Sequence, residues 1–186
     1  VVDRSGGDES RGAERYERLI AESLLEASRV LRSGGWLSIV FSNSSGKMWA
    51  LLQRAIRMAG FELGEVTLLS KGQRSVKGLA SGFENVVTAD LILSLRKGEP
   101  PEADEAPTPP GESLQAMIGE VLADDVALTP THVYLRLVRR YLQMNWDLSD
   151  LHIVEVGEAL RCSKYRVDAS SGFLVKTREP REKAAA

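Results

Sequence analysis

A helix end, a glycine turn and an apolar strand follow one another in the stretch Arg32-Ser33-Gly34-Gly35-Trp36-Leu37-Ser38-Ile39-Val40-Phe41. Glycine tolerates the left-handed conformation of a helix C-cap, so the Gly34-Gly35 pair predicts that a helix ends here. The strand after it is apolar at nearly every position. Such a strand is typically covered on both faces and parallel to its neighbours, as in α/β sheets.

Apolar residues at helical spacing predict one helix from Glu14 to Leu31, before the glycine turn. A second helix should follow the capping side chains of residues 42–45 and end at Gly60. Two strands, Phe61–Leu69 and Val86–Leu95, come next. No crossover helix separates them, so we expect them to pair antiparallel in an α/β sheet.

A segment rich in proline and acidic residues, 99–111, predicts a linker between two domains. The first domain is residues 1–98, of which 1–13 should be flexible, and the second is residues 112–178, followed by a flexible tail at 179–186. The second domain is predicted to hold helices at Glu112–Ala123, Pro130–Asn145 and Leu148–Leu160, and short strands at Tyr165–Val167 and Phe173–Lys176. Three helices and a hairpin outline a winged-helix-like α+β unit, although other small folds share that outline.

Composition excludes several classes of protein. The 186 residues are 27% charged and 43% hydrophobic, with a net charge of −2, so no global basic excess points to nucleic acid. No apolar run reaches the roughly 18 residues that a membrane span needs, and no signal peptide is apparent. The single cysteine predicts a reducing, cytoplasmic setting. It and the two histidines have no metal-ligand spacing, so no metal site is predicted.

A long polar loop joins the two predicted strands Phe61–Leu69 and Val86–Leu95. Long loops inside compact domains are usually functional or disordered. This one carries groups that could hold a phosphate or contact a base edge: Lys71, Gln73, Arg74, Ser75, Lys77 and Asn85. From composition alone, a substrate loop and a merely solvated loop are about equally supported.

Three segments of the chain resemble the C-terminal half of the amino-group DNA methyltransferases: Leu31-Arg32-Ser33-Gly34-Gly35-Trp36-Leu37, Phe41-Ser42-Asn43-Ser44 and Gly72-Gln73-Arg74-Ser75-Val76-Lys77-Gly78. These class I enzymes use S-adenosylmethionine to methylate exocyclic nitrogens of adenine or cytosine. The resemblance covers residues 14–97, about half of the chain. It implies that this half is the closing portion of a Rossmann-like sheet.

The resemblance also implies roles for particular residues. The polar loop would belong to a terminal β-hairpin and help form the pocket for a target base flipped out of DNA. Lys71, Gln73, Arg74, Ser75, Lys77 and Asn85 are therefore the candidate substrate-binding residues. Ser42 and Asn43 would lie at the carboxyl end of a strand, where open α/β sheets bind ligands. Simple N-capping is the favoured interpretation of those two residues.

Two motifs of the family do not occur in this chain. There is no glycine turn after a first strand, and neither Pro-Pro pair is followed by an aromatic residue, since Glu102 and Gly111 follow them. We therefore expect a fragment that has DNA as its partner but no catalytic or cofactor-binding residue of its own. The half that binds S-adenosylmethionine would precede it or form a separate chain.

Other interpretations remain open: a fragment of an RNA or small-molecule methyltransferase, or a non-catalytic module that binds nucleic acid or protein. The second domain is not basic overall, with eight Lys/Arg against nine Asp/Glu in residues 112–178. Arg136, Arg139 and Arg140 lie beside an apolar stripe, which favours solvated arginines over a DNA-contacting face. Basic residues near the predicted hairpin could still meet phosphates. The oligomeric state is not predicted.

Overall fold

The computed structural model describes residues 9–70, 87, 89–98, 106–109, 111, 113–123, 128–168 and 171–177. Within them, the helices are α1 (Glu9–Val30), α2 (Gly46–Met58), α3 (Leu114–Ala123), α4 (Pro130–Gln143) and α5 (Ile153–Arg161). The strands are β1 (Trp36–Phe41), β2 (Phe61–Ser70), β3 (Ala89–Lys97), β4 (Tyr165–Val167) and β5 (Leu174–Lys176). The protein is thus of mixed α and β structure, as predicted.

Strands β1, β3 and β2 form one sheet in that order. β3 pairs antiparallel with both neighbours, so β1 and β2 run in the same direction on either side of it. The expected antiparallel pairing of the last two strands is confirmed. A second sheet contains only the β4–β5 hairpin.

Helix α1 ends where the sequence predicts, and the last residue of β3 contacts that end. Gly34 has φ +70°, the left-handed conformation that glycine adopts without strain. The ammonium group of Lys97, at the end of β3, donates to two main-chain carbonyls. One belongs to Ser28 in the last turn of α1, and the other to Leu31 just after the helix. A cation on these carbonyls stabilises the negative end of the helix.

One face of the three-stranded sheet is covered. The register places Phe41, Leu91 and Leu68 side by side across the three strands, and Ile39, Leu93 and Val66 in the next row. α2 packs on β2, and α4 packs on both β2 and β3. The buried residues of the sheet, α2 and the C-terminal helices belong to one continuous hydrophobic cluster. The C-terminal helical unit is therefore packed onto the sheet.

The prediction that β1 is covered on both faces is wrong. Its side chains alternate, and Trp36 and Val40 are 59% and 57% exposed. Only Leu37, Ile39 and Phe41 point toward the core. β1 is an edge strand of the described sheet, and its described neighbour is antiparallel. The unbroken apolar sequence of β1 therefore did not require burial of both faces of the strand.

Several boundaries differ by a few residues from the predicted ones. α1 begins at Glu9 rather than Glu14, and α5 begins at Ile153 rather than Leu148. The intervening residues 144–152 form turns that contact α2. Of the helices in the described ranges, none is long and apolar enough to cross a membrane.

Candidate functional site

The candidate loop residues Lys71, Gln73, Arg74, Ser75, Lys77 and Asn85 lie outside the described residues. The strand ends that carry the loop are described, however. Ser70, the last residue of β2, pairs with Ala89, the first residue of β3. The loop therefore departs from and returns to neighbouring positions at one edge of the sheet.

The carboxyl end of β1 lies at that same edge. Phe41 is opposite Leu91, and Leu91 is opposite Leu68. These three residues therefore lie in one row across the sheet, two residues before β2 ends. Ser42 and Asn43 follow Phe41 directly. The fold thus places the two predicted strand-end residues at the same edge of the sheet as the base of the predicted substrate loop.

Asn43 has a local structural role. Its side-chain Oδ1 accepts a hydrogen bond from the main-chain N–H of Ser45 at 2.9 Å, and its main-chain oxygen accepts one from the Trp49 indole at 3.0 Å. Trp49 is fully buried and packs edge-on against Phe41, with the ring centroids 4.8 Å apart. The N-cap of α2 is Ser45, so the Asn43 side chain forms a local turn before the helix rather than its cap. These hydrogen bonds fix the chain between β1 and α2.

Both carbonyls of Asn43, in its side chain and in its main chain, accept hydrogen bonds within the protein. Ser42 is half-buried beside it. These contacts order the strand end from within the chain.

The start of α2 depends on His152, one of the two histidines for which sequence analysis predicted no metal site. The main-chain N–H of Gly46 donates to Nδ1 of His152 at 2.9 Å, across 106 positions of sequence. The main-chain N–H of Ile153 donates in turn to the Ser44 carbonyl at 3.0 Å. The C-terminal unit thereby helps to position the segment just after β1.

Asp90 is a second residue that sequence analysis missed. It lies on β3 beside the base of the loop, is only 9% exposed, and has an interaction partner within the chain. A buried carboxylate is costly unless it is paired, so such a residue usually has a structural or functional reason. The signal was available, because Asp90 is the only charged residue in the otherwise mostly apolar segment 86–93.

A groove of about 460 Å³ lies between α3, α4 and the end of β2. It has an apolar floor and three arginines, and its lining residues are Leu68, Glu120, Val121, Leu135, Arg136, Arg139 and Arg140. Arg140 is held in place, because its Nη1 pairs with Glu120 at 2.5 Å and its guanidinium lies 5.9 Å from the Trp146 ring centroid. We call this feature the arginine groove.

A larger cavity, of about 600 Å³, opens at the other end of the sheet, where β2 begins. Phe61, Ile56 and Leu142 give it apolar walls, and Gln53 also lines it. The Gln53 amide donates to Asn145 Oδ1 at 3.3 Å and to the Trp146 carbonyl at 3.2 Å. The length of β2 separates this cavity from the base of the loop.

The face of the sheet opposite α2 and α4 carries exposed apolar side chains. Trp36 lies across this face close to Gly64, where an added Cβ would be 2.6 Å from the indole ring. Val40 is exposed on the same face, and Leu69 is 42% exposed. Gly64 sits at an irregularity in the β2–β3 pairing, which leaves room for the indole.

Comparison with known proteins gives no relative. No protein-family model, no curated protein and no solved structure matches the chain.

Proposed function

We propose that this chain is part of an S-adenosylmethionine-dependent methyltransferase that methylates an exocyclic amine of a DNA base, and that it forms the side of the enzyme that holds the substrate. The observation that carries this proposal is the placement of the loop. Its base, Ser70 and Ala89, lies at the same edge of the sheet as the carboxyl end of β1. Open α/β sheets bind their ligands at that edge.

The order of elements supports the proposal. Helix, strand, helix and an antiparallel strand pair follow one another from α1 to β3, and this is how the class I methyltransferase sheet closes. Lys71, Arg74 and Lys77 would contact phosphates, while Gln73, Ser75 and Asn85 would contact the flipped base. S-adenosylmethionine would be held by the other half of the enzyme, since the family's cofactor-binding glycine turn does not occur in these residues.

The substrate role is tested with a DNA duplex that carries a mismatched 2-aminopurine. The fluorescence of this base rises when it leaves the stack, and anisotropy of a labelled duplex reports binding. We expect the chain to bind the duplex and to raise 2-aminopurine fluorescence. The triple variant Lys71→Ala, Arg74→Ala, Lys77→Ala should bind more weakly and lose the fluorescence change. Equal binding and equal fluorescence would overturn the role of the loop.

A matched control removes three arginines at the other end of the sheet. Arg29 and Arg32 lie just before β1, and Arg96 lies near the end of β3, all of them exposed. The variant Arg29→Ala, Arg32→Ala, Arg96→Ala changes the net charge by the same amount. It should bind DNA as the unchanged protein does. If it weakens binding as much as the loop variant, overall charge rather than the loop is responsible.

The catalytic part of the proposal needs the coding region that precedes Val1. The product of the whole reading frame would be incubated with S-adenosylmethionine and duplex DNA, and the digested nucleosides analysed by mass spectrometry. We expect N6-methyladenine or N4-methylcytosine. Methylation of RNA but not DNA would favour the RNA enzyme, and a reading frame without cofactor motifs would favour a non-catalytic binding module.

A further inference from the structure

We propose that the arginine groove binds the phosphodiester backbone of the DNA beside the base held by the loop. This inference rests on the proposed function and extends it to the C-terminal helices. It assigns a contact role to Arg136 and Arg139 and a positioning role to Arg140.

The charge pattern of α4 is the first argument. The solvent-facing positions of this helix are His132, Arg136, Arg139, Arg140 and Gln143, which form one stripe at helical spacing. The helix contains no acidic residue, so it cannot neutralise its own arginines. Like charges three and four residues apart repel one another and destabilise a helix.

The geometry of the groove is the second argument. Glu120 faces the three arginines from α3 and pairs with Arg140, so the described lining keeps a net positive charge on a protein whose net charge is −2. The pairing with Glu120 and the nearby Trp146 ring fix the direction of Arg140. Arg139 is exposed and Arg136 is half-buried. Guanidinium groups present paired N–H donors that match phosphate oxygens, and a groove of about 460 Å³ has room for a phosphate and its sugar.

The position of the groove is the third argument. Leu68 forms part of its floor and lies two residues before β2 ends at Ser70. At about 3.3 Å per residue, the groove is roughly 7 Å along the strand from the start of the loop. Phosphates follow one another at about 3.4 Å along the axis of each DNA strand, so a backbone in the groove would be only a few nucleotides from a base at the loop.

Salt dependence of DNA binding tests the inference. The variant Arg136→Ala, Arg139→Ala would be titrated with a fluorescein-labelled duplex at several NaCl concentrations. Each lost phosphate contact lowers the slope of log K against log [salt] by about 1, so we expect the slope to fall by about 2 and affinity to fall roughly tenfold at low salt. Arg140 is left unchanged because it packs against α3. Circular dichroism and thermal unfolding should match the unchanged protein.

The matched control is Arg29→Ala, Arg32→Ala, which removes two exposed arginines at the far end of the sheet. It should leave the slope unchanged. Lysine at positions 136 and 139 should keep most of the slope but bind less tightly, since lysine lacks the paired donors. An unchanged slope in the alanine variant, or no DNA binding by the unchanged chain at low salt, would overturn the inference. Equal competition by polyglutamate would also overturn it, because a general site for acidic protein would then be indicated.

The outcomes separate this inference from the proposed function. If only the groove is wrong, the loop variant loses DNA binding while the groove variant keeps it. If only the methyltransferase assignment is wrong, the groove variant still loses affinity and salt slope, although the product of the whole reading frame methylates no DNA.

Discussion

The main-chain N–H of Gly46 donates to Nδ1 of His152 at 2.9 Å, and this hydrogen bond joins the start of α2 to the start of α5. Gly46 is buried, and its Cα faces the main-chain carbonyls of Leu148 and Leu151. The segment that leads from β1 to α2 is therefore held by the C-terminal unit. The stability of the sheet end and the packing of the C-terminal helices should be coupled through this contact.

Replacement of Gly46 by alanine should destabilise the whole protein. The new Cβ would be 2.1 Å from the Leu148 oxygen and 2.6 Å from the Leu151 oxygen, and both are main-chain atoms that cannot move alone. Overpacking of this kind costs about 1–3 kcal/mol and occasionally more, and the rigid neighbours place this site at the upper end. Urea unfolding followed by circular dichroism measures the loss.

Gly119→Ala is the matched control for that substitution. Gly119 lies within α3, and a Cβ there would meet nothing within 4 Å. Alanine should stabilise an exposed helix position by up to about 1 kcal/mol relative to glycine. Equal stability of the two alanine variants would mean that the close contact between Gly46 and the 148–151 segment is absent in solution.

Replacement of His152 by alanine should also destabilise the protein, because the buried N–H of Gly46 would lose its acceptor. An unsatisfied buried donor costs about 1–3 kcal/mol. Nδ1 of histidine is bonded to Cγ, as Oδ1 is in asparagine, so His152→Asn should recover part of the loss. Thermal unfolding of both variants tests this. If alanine and asparagine behave alike, the acceptor atom has no role and only packing matters.

The positions of helices and turns were predicted from the sequence more accurately than the burial of their side chains. The glycine turn at Gly34 and the helix start at Pro130 depend on local chemistry, and both are where they were expected. Gly34 has φ +70°, and Thr129 caps the helix by accepting the N–H of His132 at 3.3 Å. The two exposed apolar residues of β1 could not be predicted in the same way. Burial depends on which strands and helices lie beside β1, and the local pattern does not contain that information.

In the candidate site, too, local sequence patterns reveal some features, whereas contacts between distant residues are not predictable from them. The sequence identifies the polar loop by its length and charge, whereas Asp90 was missed although it contrasts with its apolar neighbours. The contact between Gly46 and His152 joins residues 106 positions apart, so no local pattern could reveal it. The arginine groove likewise requires Leu68 of β2 and Glu120 of α3 to meet α4. Periodicity alone had favoured solvated arginines there.

The stability of the protein should fall at alkaline pH because of Tyr134. Burial raises the pKa of its phenol well above the ordinary value of 10.0, and its hydroxyl donates to the Leu151 carbonyl at 3.4 Å. The folded state therefore holds this proton more tightly than the unfolded state does. The stabilisation is complete below pH 10 and is lost as pH rises from there toward the pKa of the folded state.

The slope expected from one such group is about 1.4 kcal/mol per pH unit above pH 10. Tyr134→Phe removes the ionisable group and should reduce the slope by about that amount, while stability at pH 7 changes by about 1 kcal/mol or less because the hydrogen bond is long. Urea unfolding at pH 7, 10 and 11 measures both quantities. A phenylalanine variant with the slope of the unchanged protein would show that Tyr134 is not shielded from water.

Iodide quenching of tryptophan fluorescence should report the open face of the sheet. Of the three tryptophans, Trp36 is 59% exposed, whereas Trp49 and Trp146 are 0% and 8% exposed. Iodide cannot reach buried indoles, so we expect one readily quenched component in the unchanged protein and its loss in Trp36→Phe. The spectrum of that variant should shift to shorter wavelength, since only buried indoles remain. The urea-unfolded proteins serve as the control, because all their tryptophans are accessible. If Trp36→Phe leaves quenching of the folded protein unchanged, then another part of the chain or a second molecule covers Trp36.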